Sequence, residues 1–176
     1  MIFSDLQNAV VERLLWDAWF TEPGKTVGVF AEHKLDLAAQ WQQTIGKIGA
    51  AVLVRTVGCA PTERVDLADV DVWIEMTEFV SINRGKSGSQ KPGCDVGAKA
   101  MALLRGWTPD NNMWAPFLLW GQGLQYVGED DQGLDRWVLQ FRTQTMLELL
   151  AQVIGTDTAA IVDDQGRAFV VSPTPA

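Results

Sequence analysis

Two long stretches of the sequence alternate between apolar and polar residues. In residues 70–82 the even positions are apolar, with Glu78 breaking the series, and most odd positions are polar. Residues 137–145 repeat this alternation. Because successive side chains of a strand point to opposite faces, each stretch predicts a strand with one buried face. Antiparallel pairing of the two strands would bury both apolar faces on one side of a sheet.

Shorter apolar runs predict the remaining strands. Residues 50–57 are β-branched and nearly continuous, which is typical of a central strand, and Gly58–Asp66 is expected to be a loop. Gly121–Gly123 is expected to turn the chain between two short strands. The other predicted strands are 27–30, 116–120, 124–127, 159–162 and 167–171, the last two forming a hairpin around a turn at 163–166.

Helical spacing of apolar residues predicts the helices. One covers residues 4–16 with Ser4 as its N-cap, and a second covers 35–47. A third covers 96–107, and a short one covers 146–154. The elements together predict an α+β fold, with a mostly antiparallel β-sheet and helices packed on one face.

The length of 176 residues suits one domain with a real core. We expect a single domain at 1–171, with a flexible basic loop at 83–95 and a disordered tail at 172–176. Residues 83–93 lack every core-forming residue type, so ordering their backbone would gain little burial.

The net charge of −8 disfavours broad binding to nucleic acids or anionic membranes. The sequence shows no secretory signal and no apolar run of about 18 residues. The expected partners therefore include no membrane and no sequence-specific nucleic acid, and the default compartment is the cytoplasm. Cys59 and Cys94 are expected to be reduced thiols, although one bridge between them stays open.

Residues with catalytic potential are few. His33 has charged neighbours typical of a solvated loop, so no Ser–His–Asp or Cys–His site is indicated. Cys94 is near a predicted helix start, where a thiolate could be stabilised, but an ordinary small residue is favoured. Gly24-Lys25-Thr26 and Gly85-Lys86-Ser87 match only the end of a phosphate loop, because the earlier glycine is missing. We expect no catalytic residue, no cofactor and no metal.

Charged residues cluster in three places. Glu129, Asp130 and Asp131, and separately Asp163 and Asp164, lie in predicted turns, where Asp favours local backbone hydrogen bonds. Loose calcium binding is the alternative for these groups. The loop at 83–93 carries the basic residues Arg84, Lys86 and Lys91. This loop is either solvated or an arm that orders on an acidic partner, such as the Glu129–Asp131 turn of a neighbouring copy.

The order of these segments has a counterpart among phage proteins. The strand at 70–82 leads into a loop after Asn83-Arg84, and a small-residue helix ends at Leu104-Arg105-Gly106-Trp107. The acidic turn at 128–133 then feeds the last long strand at 137–145. Over roughly residues 50–146, this order resembles the tail-terminator or tail-completion proteins of long-tailed bacteriophages, most like those of the Mu-like contractile-tailed phages.

This resemblance implies a non-enzymatic virion protein with an α+β fold. Such proteins form rings, often hexamers, at the head-proximal end of the tail, where they stop tube polymerisation and prepare the tail for head joining. The implied partners are further copies of the chain, the tail tube and sheath proteins, and the head–tail connector. The implied location is the host cytoplasm during assembly and then the virion tail.

Two other functions remain open from the residues. One is a cytosolic module that binds a small ligand or peptide without catalysis, for which a monomer with an enclosed apolar pocket would be expected. The other is an enzyme that uses acidic side chains, such as a metal-dependent hydrolase, which the lack of a His/Cys cluster disfavours.

Overall fold

The computed structural model describes residues 2–64, 66–109, 113–146, 159–162 and 168–171. The helices are α1 (Ile2–Trp16), α2 (Leu37–Ile48), α3 (Val80–Asn83) and α4 (Gly93–Leu104). The strands are β1 (Gly28–Ala31), β2 (Ala50–Pro61), β3 (Leu67–Glu78), β4 (Leu118–Glu129), β5 (Asp135–Met146), β6 (Ala159–Val162) and β7 (Ala168–Val171).

Five strands form one mixed sheet in the order β1-β2-β3-β5-β4. β1 runs parallel to β2, and the other neighbours are antiparallel. The two long alternating strands, β3 and β5, pair from Leu67↔Met146 to Glu78↔Asp135, which confirms their predicted antiparallel pairing. The α+β class and the mostly antiparallel sheet are therefore confirmed.

The main core lies between the sheet and helices α1 and α4. Their buried side chains pack on the even-numbered residues of β3 and the odd-numbered residues of β5, as the alternation predicts. The buried apolar residues include Leu6, Val10, Leu14, Val52, Val70, Val72, Ile74, Val96, Ala100, Leu104, Leu139 and Phe141.

The sequence pattern predicted helices packed on one face of the sheet, but α2 lies on the other face. In α2, Ile45 packs with Ala51 and Leu134 in a second small cluster. Ala51 lies between Ala50 and Val52, which belong to the main core, so its side chain is on the opposite face of the sheet. The helix α2 therefore covers the second face near the β1–β2 edge, and no other helix of the described ranges packs there.

Several element boundaries differ from the predictions. α4 covers Gly93–Leu104 instead of 96–107, so the expected flexible loop at 83–95 is shorter. β3 ends at Glu78 rather than at residue 82, because Val80–Asn83 form the helix α3. β2 continues to Pro61 by pairing with β3, so the expected loop after residue 57 is shorter. α1 begins at Ile2, so Ser4 is inside the helix and is not its N-cap.

The expected turn at Gly121–Gly123 is wrong, because β4 is one continuous strand from Leu118 to Glu129. Gly121 and Gly123 have φ of 65° and 75°, a conformation that glycine adopts without steric cost. The pairing register with β5 shifts between Leu119 and Leu124. The two glycines therefore form an irregularity within the strand instead of reversing the chain.

The last described elements, β6 and β7, form a separate antiparallel pair with Ala159 opposite Val171. This confirms the two predicted terminal strands. The turn at 163–166 with Asp163 and Asp164, the tail at 172–176, and the helix at 146–154 beyond Met146 lie outside the described residues. Met146 itself is the last residue of β5.

Candidate assembly surface

The buried carboxylate of Glu78 fixes the predicted basic loop at both ends. Glu78 is only 2% exposed, and its Oε1 accepts a hydrogen bond of 2.8 Å from Asn83 Nδ2 at the end of α3. Its Oε2 accepts one of 2.8 Å from Gly93 N, the first residue of α4. Arg84 Nε lies 3.5 Å from Oε1. The segment between α3 and α4 is therefore anchored to the end of β3, whereas the sequence suggested little burial here.

Lys91 does not lie on the exposed basic surface with Arg84 and Lys86. It is 5% exposed, and its ammonium donates to the backbone carbonyls of Trp19 and Lys25. The ammonium also lies 3.3 Å from a carboxylate oxygen of Glu22 and 4.5 Å from the centre of the Trp19 ring. Its charge is neutralised within its own chain, so the hypothesised partner contact remains a prediction for Arg84 and Lys86 only.

The segment carrying Arg84 and Lys86 lies beside the end of α2. Ser89 N donates to the Ile48 carbonyl at 2.9 Å, and the backbone of Asn83 closely approaches Gly49. The side chain of Arg84 is 63% exposed, and Lys86 is also exposed. The backbone of this segment therefore lies near the start of β2, while the Arg84 guanidinium reaches Glu78 at the end of the central strand β3.

The two partial phosphate-loop tripeptides meet at one open depression of about 470 Å³. Its lining consists of Gly24, Thr26, Gln43, Thr44, Lys47, Ile48 and Ser87. A phosphate loop places its ligand at the N-terminus of a helix, whereas this depression borders the last turn of α2, the negative end of the helix dipole. The geometry therefore differs from that of a phosphate loop.

The acidic turn joins β5 to the edge strand β4, which lies at the opposite edge of the sheet from β1. Asp130 Oδ1 accepts hydrogen bonds from Gln132 N at 2.9 Å and from Leu134 N at 3.1 Å. Asp130 thus stabilises the turn, as the sequence analysis favoured. Glu129 and Asp131 are exposed, and the hypothesised partner contact remains a prediction for them.

The basic and acidic residues lie at the same end of the sheet but on opposite sides of it. Glu78 at the end of β3 pairs with both Ala50 at the start of β2 and Asp135 at the start of β5. The basic segment lies beside the β2 side of this end, and the acidic turn lies on the β4 side. The backbone of the basic segment and the acidic turn are therefore separated along the strand order within one copy.

β4 forms an edge of the five-stranded sheet and exposes large apolar side chains. Leu118, Trp120, Tyr126 and Val127 are 64%, 46%, 52% and 61% exposed. The exposure of this surface was not predicted from the sequence, because an apolar run such as that at 116–120 normally predicts burial. An exposed apolar edge is typical of a surface that a partner covers.

Ion pairs cover the helix-free part of the second sheet face. Arg142 makes two hydrogen bonds to Asp71, of 2.7 and 3.1 Å, and another of 3.2 Å to Asp69. The ring of Trp120 lies over its guanidinium, with the ring centre 3.5 Å from Cζ. The hydrogen bond to Asp71 is the main cause that raises the pKa of Arg142. The exposed Trp120 is thereby held in place on an ordered polar surface.

His33 and the two cysteines have pKa values shifted from their ordinary ones. His33 Nδ1 lies 2.9 Å from Gln7 Oε1, and burial, followed by the charge of Lys34, lowers the pKa of its ring. Cys59 and Cys94 are both free, and burial is the main cause that raises the pKa of each thiol. Neither thiol is therefore favoured as a thiolate at neutral pH.

Among the residues that the structure describes, no three His, Cys, Asp or Glu side chains are grouped so that they could hold a metal ion. No helix in the same described ranges is long and apolar enough to cross a membrane. No protein-family model matches the chain, and no curated protein matches it.

Proposed function

We propose that this chain is a structural, non-enzymatic subunit of a phage or prophage tail. Copies of the chain form a ring that caps the tail tube and prepares it for joining to the head. Its partners in this role are further copies of itself, tail tube or sheath proteins, and the head–tail connector. It works in the host cytoplasm during assembly and remains in the virion tail.

The observation that carries the proposal is the separation of charge across one end of the sheet. A closed ring uses a heterologous interface, in which two different surfaces of each subunit meet. The segment that carries the exposed Arg84 and Lys86 lies beside the start of β2, while the exposed Glu129 and Asp131 lie in the turn between β4 and β5. Head-to-tail contact would bring opposite charges together, which aids recognition and sets the register between subunits.

The exposed apolar edge of β4 gives a second line of support. Charge pairs at the rim of an interface contribute little affinity, so a stable ring also needs an apolar contact. Tyr and Trp are the residue types enriched at such contacts, and β4 exposes Trp120 and Tyr126. Edge strands also recruit partner strands through their free backbone groups.

Light scattering combined with electron microscopy tests the proposal. The full chain is measured alone over a range of concentrations and again with a purified phage tail tube protein. We expect closed rings of one size, either alone or once tube protein is added. A protein that remains monomeric under both conditions contradicts the proposal and favours the ligand-binding alternative.

A further inference from the structure

Among the described residues, the hairpin of β6 and β7 is not part of a larger sheet. Its strands have the sequences AAIV and AFVV, which are apolar throughout and rich in strand-forming residues. In the described part of the chain they pair only with each other. An isolated two-stranded hairpin is marginally stable at best in water, so this element needs a further surface.

The outer edge of β4 is likewise without a neighbouring strand among the described residues. Its longest run in continuous register with β5 is Leu124–Tyr126, and Val127 follows with 61% of its surface exposed. β4 pairs with β5 on one side, and no described strand lies on the other side. A strand of four residues, such as β6 or β7, is long enough to pair along this run.

We infer that the β6–β7 hairpin of one copy adds to the β4 edge of a second copy, so that the two hairpin strands extend the neighbour's sheet. The inference rests on the proposed ring. Among the described residues of one copy, neither the hairpin nor the β4 edge has a further strand beside it, and pairing between copies would supply both.

The chain is long enough for this exchange. Twelve residues, 147–158, connect β5 to β6. A connection of this length spans at most about 40 Å when extended, which is roughly the width of a small domain. Adding two strands would bury apolar surface and satisfy the free backbone groups of the β4 edge, as in other cases of strand addition.

Cysteine cross-linking between two differently labelled full-length proteins tests the inference. Both carry Cys59→Ser and Cys94→Ser. One population also carries Val127→Cys, and the other carries either Phe169→Cys or Val170→Cys. Adjacent strand residues point to opposite faces, so one of the two hairpin positions should share a face with Val127. We expect a disulfide-linked dimer in one of the mixtures under mild oxidation, with neither protein cross-linking alone.

The matched control replaces Val127→Cys by Leu35→Cys, because Leu35 is fully exposed and follows β1, the opposite edge of the sheet. Cross-linking no stronger than in this control would overturn the inference. A second outcome would also overturn it. This is a disulfide within single copies, at high dilution, of a chain that carries Val127→Cys together with Phe169→Cys or Val170→Cys, because it would show that the hairpin pairs with its own β4.

Light scattering on the same samples separates this inference from the proposed function. Rings without the specific cross-link would contradict the inference and still support the proposed function. A specific cross-link between two copies without any ring would support strand exchange and count against the ring. We also expect Val170→Asp to shift the elution of the full chain towards the monomer, whereas Leu35→Asp should leave it unchanged.

Discussion

Glu78 is the single residue on which the end of β3 most depends. A buried carboxylate is tolerated only when hydrogen bonds replace its lost hydration. Here the donors are Asn83 Nδ2 and the backbone N–H of Gly93, which belong to two different helices. Removing the carboxylate would leave the Gly93 N–H and one of the two Nδ2 hydrogens of Asn83 unpaired, since Asn83 Nδ2 also donates to the Lys91 carbonyl at 2.9 Å.

We therefore expect Glu78→Ala to lower the free energy of unfolding by about 2–4 kcal/mol, since each buried donor left unpaired costs roughly 1–3 kcal/mol. Glu78→Gln should lose less, because the amide oxygen still accepts one hydrogen bond. Urea unfolding followed by tryptophan fluorescence measures both. The control is Glu63→Ala at an exposed position, expected within about 0.5 kcal/mol of the unchanged protein. A loss for Glu78→Ala as small as that of the control contradicts the role of the buried carboxylate.

His33 allows a second test at this scale, because it is the only histidine. Burial, and then the charge of Lys34, lower the pKa of its ring in the folded protein. The neutral form is thus favoured by folding, so its contribution to stability is present above the ordinary histidine pKa and is lost as the pH falls through the lowered value. We expect an NMR titration to give a pKa below 6.5. Lys34→Gln should raise that pKa, and an unchanged or lower value would exclude the Lys34 charge as a cause.

At the scale of elements, the ends of α2 and α3 meet at a glycine. Gly49 caps α2 with φ of 73°, and its N–H donates to the Ile45 carbonyl. A Cβ atom at this position would lie 2.3 Å from the backbone nitrogen of Asn83. Only glycine therefore permits both the left-handed conformation and the close approach of α3.

Gly106 provides a matched comparison, since its φ is 74° and a Cβ would have no atom within 4 Å. We expect Gly106→Ala to cost about 1–2 kcal/mol from the left-handed conformation alone. Gly49→Ala should cost more, roughly 2–5 kcal/mol, because the backbone of α3 must also move. Chemical unfolding of the two variants checks the order, and equal losses would show that the backbones of α2 and α3 do not constrain one another.

The sequence predicted those elements whose periodicity is produced by burial on one face. β3 and β5 were predicted to pair because the alternating apolar residues of both strands are buried in one core. The apolar face of α4 beginning at Val96 was predicted because it is buried in the same core. The turn into α3 was missed because Val80 and Ile82 continue the alternation of β3 by chance. Glu78 was the available signal, since it breaks the apolar series where the strand ends.

The candidate site was less predictable because it depends on distant contacts. Burial of Lys91 requires carbonyls from Trp19 and Lys25, more than sixty positions earlier, and nothing local to Lys91 signals them. The exposure of β4 depends on its place at the edge of the sheet, and strand order is not encoded in periodicity. Asp130 was predicted correctly because turn formation is a local property.

At the scale of the whole molecule, net charge and local charge act in opposite directions on self-assembly. A net charge of −8 makes copies repel one another at long range, and salt screens that repulsion. The proposed contact between Lys86 and the acidic turn attracts at short range. Variants that change each contribution separately can therefore show whether the local contact governs the ring.

Charge exchange between Lys86 and Asp131 tests this directly, since both side chains are exposed. Lys86→Glu gives a net charge of −8 − 2 = −10, Asp131→Lys gives −8 + 2 = −6, and the two together restore −8. If the local contact governs assembly, each single variant should weaken association about two- to fivefold, corresponding to up to about 1 kcal/mol per charge pair. The double variant should recover it.

The control for net charge is Arg105→Glu, an exposed residue after α4 that also gives −10. Sedimentation at about 0.1 M salt, where the screening length is about 10 Å, compares all four variants with the unchanged chain. We expect Arg105→Glu to associate like the unchanged chain. If net charge alone decided assembly, Arg105→Glu and Lys86→Glu would weaken it equally and Asp131→Lys would strengthen it. That pattern would show that the basic segment and the acidic turn do not meet between neighbouring copies.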